Sequence, residues 1–318
     1  SPVNYTFQFR LFYYLYILAM AIITINLLVC VTIYLHKELR CITNYLIVSL
    51  AVADLGVGAL AIPFSMVLSM EYTLYFYTCL FLTCFPLVTT QFSILLLLVI
   101  AIHTHLKIKL SNRQVIYPLH VKKWVIFIVA FCWLLSLLIG LSPMMGWNRF
   151  QQYGETRNKT STPSYSREFL VYFIFLICTL LPLAAMLGIY GNIFRVVRDH
   201  FRSQLFWPAK RKEMQMACTL LLLVGVFFIC WMPLHMIYCI QLLCPSCEQY
   251  EFLERLAVLL SHLNSLANPL VYALRKKNLG MALRSVFLHR VLHWPSMKVC
   301  CGSSPKIHPQ TEVRKRCS

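Results

Sequence analysis

One carboxylate sits at membrane depth in this chain: Asp54, inside the apolar run SLAVADLGVGALAIP. An ionised acid in hydrocarbon is costly unless it is paired or solvated, so it points first to function. Asn26, Ser93, Asn264, Ser265 and Asn268 stand at similar depth on other apolar runs. Their amide and hydroxyl oxygens around one negative charge would suit a small hard cation such as sodium, held with water. The same set would equally serve a neutral, protonated Asp54 in a structural hydrogen-bond network. Both readings stay open on the residues alone.

The segment SHLNSLANPLVYALRKK, residues 261–277, concentrates polar groups in another helix-length apolar run. Pro269 has no N–H to give the carbonyl of Ser265, so the helix must bend there and that oxygen needs another donor. Within a bilayer such groups are tolerated only where neighbouring helices or trapped water satisfy them. This helix therefore faces a polar cavity inside a bundle. One to two turns above the Asp54 level, Thr90, Gln91, His235, Ser261 and His262 could converge as uncharged hydrogen-bonding groups. They could also be ordinary interhelical bonds, worth about 0.6 kcal/mol each.

Other chemistry is excluded. His103 and His105 project about 200° apart on a helix and cannot share a metal. Cys244-Pro245-Ser246-Cys247 lacks the fold context of a redox motif. No HExxH, P-loop or nucleophile elbow is present, so no enzyme activity is expected.

The elements that must position these groups follow from composition. The 318 residues are 59% hydrophobic and 13% charged, with mean hydropathy +0.68. Soluble domains carry about a quarter charged residues. Seven stretches are long and apolar enough to span a bilayer: 11–35, 43–67, 77–102, 125–143, 169–194, 214–243 and 256–274. The expected architecture is an all-α membrane protein, a seven-transmembrane helix bundle. An outer N-terminus (1–10) precedes the seven-span domain (11–274), and a cytoplasmic amphipathic helix and tail (275–318) follow it. The first apolar run is too long for a cleaved signal peptide. With no internal repeat, a transporter architecture is disfavoured.

Of the 29 Lys and Arg residues, 23 follow spans one, three, five and seven, which places those segments and the C-terminus in the cytoplasm. The net charge of +18 thus belongs to the inner rim, facing anionic lipid and a cytoplasmic partner rather than nucleic acid. The sequons at Asn4 and Asn158 both fall on the outer side. Leu279, Leu283, Phe287 and Val291 recur every four residues in a basic stretch, the pattern of a short eighth helix on the inner membrane face. Cys300 and Cys301 beyond it are candidate palmitoylation sites.

Several motifs occur together and in order: Asn26, LAVAD with Asp54, Trp133, Pro182, Tyr190, CWMP (230–233) and NPLVY (268–272). In this the chain resembles the rhodopsin-like G-protein-coupled receptors over all seven spans. SLAVADLGVGALAIP, GLSPMMGWN, CWMPLHMIYCI with LLCPSC, and SHLNSLANPLVYA are similar to the adenosine receptors. The resemblance implies a plasma-membrane receptor with a nucleoside-like ligand, a heterotrimeric G protein as partner and no cofactor beyond an allosteric sodium ion. It implies that Thr90, Ser261 and His262 hold a ribose, with His235 beside a purine. Pro233 and Trp231 would form a hinge and lever in span six, with Tyr190, Pro269 and Tyr272 in the same switch. It also implies a local disulfide between Cys244 and Cys247.

The departures are equally specific. Amine receptors of this fold need an acid in upper span three, where Pro86 stands; retinal pigments need a lysine in span seven, which has none. Tyr238 occupies the position of the family's adenine-binding asparagine, and Ile174 that of a span-five asparagine. The second outer loop holds no cysteine, so Cys79 is expected to remain a thiol. At the inner end of span three the family's Asp-Arg-Tyr reads His103-Thr104-His105, although the span-six acid survives as Glu213. A second reading is therefore a degenerate relative that couples weakly or not at all.

Overall fold

Each apolar stretch builds a helix because its backbone groups have no water to bond and must satisfy one another within the segment. The computed structural model describes residues 2–69, 74–110, 121–148, 156–157, 166–202, 208–244, 246 and 251–288. Seven helices there are long and apolar enough to cross a membrane. Span one is Pro2–Leu35. Span two runs Ile42–Gly56, then a π-helical turn Val57–Ala61, then Ile62–Ser69. Span three is Phe76–Leu110 and span four Val121–Gly140. Span five opens with a π-helical segment, Phe169–Leu180, and continues as Leu181–Arg202. Span six is Pro208–Leu243 and span seven Glu251–Arg275. Of the expected sites, Asn158, Cys247, Cys300 and Cys301 lie outside the described residues, as do the side chains of Asn4 and Glu213.

Several boundaries differ from expectation. Spans three and six run well past their apolar windows on the basic side, to Leu110 and from Pro208, since Lys, Arg, Glu and Gln are good helix formers in water. Span four stops at Gly140 rather than 143; Pro143 stands in a 3-10 turn, Ser142–Met145, that leaves the membrane. The chain is also not wholly helical: β1 (Leu74–Tyr75) pairs antiparallel with β2 (Thr156–Arg157), tying the first outer loop to the second.

The largest core cluster fills the inner half of the bundle, where Leu50, Phe92, Leu96, Leu223, Phe227 and Tyr190 are buried. Trp133 stacks on Phe92 with ring centroids 4.0 Å apart and fixes span four against span three. A separate outer cluster joins Phe76, Leu80 and Phe169, and Trp147 packs edge-on against Phe169 at 5.0 Å. Span four otherwise turns large apolar side chains such as Ile126 and Phe127 outward, as a lipid-facing helix must.

After span seven the chain folds into a short helix, Lys277–Val286. Its buried stripe is Leu279, Leu283 and Val286, packed under spans one and seven, whereas Phe287 of the expected stripe is exposed. This helix is therefore docked on the bundle rather than lying on lipid alone. Gly280 is what allows it: a Cβ there would strike the carbonyl oxygen of Ala273.

A second close approach is at Gly140, where a Cβ would meet the backbone nitrogen of Val88 at 2.7 Å and its Cα at 2.8 Å. Backbone cannot step aside as a flexible side chain can. Gly140→Leu is expected to destabilise the bundle by about 1–3 kcal/mol through overpacking. Thermal unfolding of the purified protein in detergent checks this, and an unchanged midpoint would show that spans three and four are not so close.

Candidate ligand cavity and the polar chamber beneath it

Asp54 is 1% exposed, and Asn268 Nδ2 donates to its Oδ2 at 3.0 Å. The Ser265 side chain lies beside the same carboxylate. The carbonyl of Ser265, deprived of its helical donor by Pro269, accepts from Asn26 Nδ2 at 3.0 Å. That amide also donates to Ile22 O at 3.0 Å, so Asn26 braces span one against the bend of span seven. Ser93 is buried as expected, but its hydroxyl donates to Thr89 O of its own helix at 3.0 Å. Within this set, Asp54 Oδ1, Asn26 Oδ1 and Asn264 Oδ1 are buried without a hydrogen bond. Oxygen donors of this kind fit a hard cation, since nitrogen and sulfur ligands are absent from the set.

Above the chamber lies a cavity of about 160 Å³. Trp231, His235 and Tyr238 line it from span six, Ser261 and His262 from span seven, and Thr90 from span three. Ile174 lines it from the π-helical start of span five. Thr90 Oγ1 donates to Pro86 O and Ser261 Oγ to Val258 O, each at 2.7 Å, so both hydroxyls keep their lone pairs for a guest. His235 is buried with both ring nitrogens unbonded, stacked on Phe175 at 4.8 Å and near Trp231 at 6.2 Å. His262 Nε2 is likewise buried and unbonded. Such groups carry a desolvation cost that only a guest or water can relieve.

Gln91 is buried with its Nε2 unbonded but is not among the residues that line the cavity; one residue beyond Thr90, it is rotated about 100° around the helix. The converging set is thus Thr90, His235, Ser261 and His262, with Trp231 and Tyr238. At the outer mouth a bridge joins three spans: Arg167 Nη1 donates to Gln241 O at 3.1 Å, and Gln241 Nε2 to Glu254 Oε2 at 3.0 Å. Sequence reasoning missed it, although three long polar side chains at the outer ends of spans five, six and seven were a visible signal.

The match to known proteins follows the same elements. Residues 25–272 match the model of the 7 transmembrane receptor (rhodopsin family). The chain belongs to the rhodopsin family of seven-transmembrane receptors. Within it, the chain is similar to the adenosine receptor A2a of Homo sapiens, 36% identical over 314 residues that cover 91% of this chain and 75% of the relative. The adenosine receptor A2b of Gallus gallus is 38% identical over 282 residues, 81% and 82% of the two chains. The adenosine receptor A3 of Ovis aries is 36% identical over 298 residues, 90% of each. The family is one of receptors, not enzymes.

In this rhodopsin-family receptor the inner end of span three is rearranged. Thr104 is 2% exposed and turns its hydroxyl back to Ile100 O at 2.9 Å. It offers no charge to its surroundings. His105 Nε2 lies 3.2 Å from Asn192 Nδ2 of span five, and His103 is half-buried on another side of the helix. Tyr190 and Tyr272 are both buried, and the Tyr272 hydroxyl has no hydrogen bond. Below them Lys276 Nζ donates to Asn44 Oδ1 at 2.8 Å, while Asn44 Nδ2 donates to Leu39 O at 2.6 Å. Cys244 is disulfide-bonded, with its expected partner Cys247 outside the described residues. Cys79 is a buried thiol.

The Asn26–Ser265 bond generates a test. Asn26→Leu leaves a buried carbonyl unsatisfied and is expected to cost about 1–3 kcal/mol. Thermal unfolding in detergent measures it; a variant as stable as the parent would mean that this oxygen is satisfied by another route.

Proposed function

We propose that the chain is a plasma-membrane receptor of the adenosine-receptor type, with its N-terminus outside and its C-terminus in the cytoplasm. It takes a neutral, nucleoside-like ligand in the cavity and signals to a heterotrimeric G protein. The observation that carries this reading is the stacking order along span six. Buried, unbonded His235 in the cavity wall rests near Trp231, and Pro233 stands between them in the helix. A guest bonded to His235, His262, Ser261 and Thr90 presses on the part of span six that proline weakens. It can shift the bend only by as much as it prefers one state over the other.

The chamber below supports a bound sodium ion. Asp54 and Asn268, with Ser93, Asn264 and Ser265 around them, would hold it, and the unbonded oxygens of Asp54 and Asn264 would be its first ligands. An ion there favours one arrangement of spans two, three and seven over another.

Thr104 supports a second reading, a receptor that couples weakly. Threonine has neither the charge nor the reach of a guanidinium. In its buried position its hydroxyl bonds its own helix.

Binding of a ribose-containing nucleoside to the full chain in cell membranes, with and without sodium, tests the main reading. Saturable binding that sodium modulates is expected, and Asp54→Asn should abolish the sodium effect. No saturable binding by protein shown to be at the surface would reject the nucleoside assignment. For the switch, Thr104→Arg is expected to raise ligand-stimulated nucleotide exchange on the G protein several-fold. A parent receptor that already couples as strongly as the variant would remove the coupling argument.

A further inference from the structure

The cavity is chemically lopsided. Its inner end carries Thr90 and Ser261, whose hydroxyl oxygens can accept, and His235 and His262, whose unbonded ring nitrogens can donate or accept. Its outer end carries Leu68, Leu82, Leu170, Ile174 and Val258, with Tyr238 one helical turn outward of His235. The polar groups at that end are few. Thr83 spends its hydroxyl proton on Cys79 O and Leu80 O, and Ser65 already has an interaction of its own. Among the described residues that line the cavity there is no carboxylate, ammonium, guanidinium or carboxamide. Gln91, the nearest carboxamide in sequence, is buried and does not belong to the residues that line it.

This pattern decides what kind of base the outer end can hold. Adenine presents an amine donor beside a ring-nitrogen acceptor, an edge matched by a carboxamide, which offers an acceptor beside a donor. A phenol has one oxygen at one point and cannot meet both positions at once. An adenine amine brought between Tyr238 and the leucines would lose its water while the edge stayed half-matched. A base with only ring nitrogens on that edge needs one donor, and the Tyr238 hydroxyl is one. The flat ring itself is suited by Ile174 and Leu170, whose side chains crowd the same end.

We infer that this receptor selects nucleosides whose base lacks the exocyclic amine, with Tyr238 as the specificity-determining residue. The inference rests on the nucleoside reading above and narrows it. Sites discriminate strongly against groups that leave a buried polar partner unmatched. The unmatched amine should therefore cost about tenfold or more in affinity.

The experiment compares tritiated purine riboside with tritiated adenosine, which differ only in that amine, on membranes holding the full chain. Surface amounts are matched by biotinylation. Purine riboside is expected to bind about tenfold or more tightly, and Tyr238→Asn, which installs a carboxamide, should reverse the order. If adenosine binds the parent receptor as tightly as purine riboside or more so, the inference is overturned while the nucleoside reading stands. If neither nucleoside binds surface-exposed protein, both fall. A Tyr238→Asn variant that fails to reach the surface changes nothing, because the ratio measured on the parent chain already decides.

Discussion

A carbonyl that has lost its helical donor inside hydrocarbon must find another, and the bundle is arranged around that need. Pro269 strips the Ser265 oxygen of its N–H, and Asn26, 239 residues away in sequence, supplies the replacement. The consequence is more than one bond. Asn26 has to be in span one, facing inward, and span seven has to bend toward it. That bend brings Asn268 to Asp54, closing spans one, two and seven around a polar chamber. Without the proline the chamber would lose its reason to exist, and without the asparagine the proline could not be tolerated.

Polar residues in apolar surroundings were the readable part of this chain. Asp54, Asn268, His235 and His262 advertised the interior because lipid would not accept them, and the structure buries all four. The seven spans were legible for the same reason, from length and apolarity. Helix ends beyond the hydrocarbon were not, because past Ile102 or before Met214 the chain is in water and ordinary helix propensity takes over. Gln91 and Thr90 show the limit of depth arguments. Adjacent residues share a level but not a face, and only the rotation of span three decides which one meets the cavity.

Cross-links between chain-distant side chains were illegible for a different reason. Arg167, Gln241 and Glu254 are visible in the sequence as long polar side chains near outer helix ends, but their bridge depends on how three helix ends converge. The docking of Lys277–Val286 under the bundle belongs to the same kind. Periodicity announced an apolar stripe, but whether lipid or protein covers it depended on Gly280, whose missing side chain allows contact with Ala273.

The link between Lys276 and Asn44 has its own mechanical meaning. Asn44 grips the first inner turn through Leu39, and the lysine grips Asn44, so that turn, the foot of span two and the foot of span seven are bolted into one corner. Sliding span seven past span two would break a charge-assisted bond worth about 1.5–3 kcal/mol. The corner behaves as a buttress that ties the feet of spans two and seven together, whereas on the opposite flank spans three and five are joined across their inner ends by the His105–Asn192 contact.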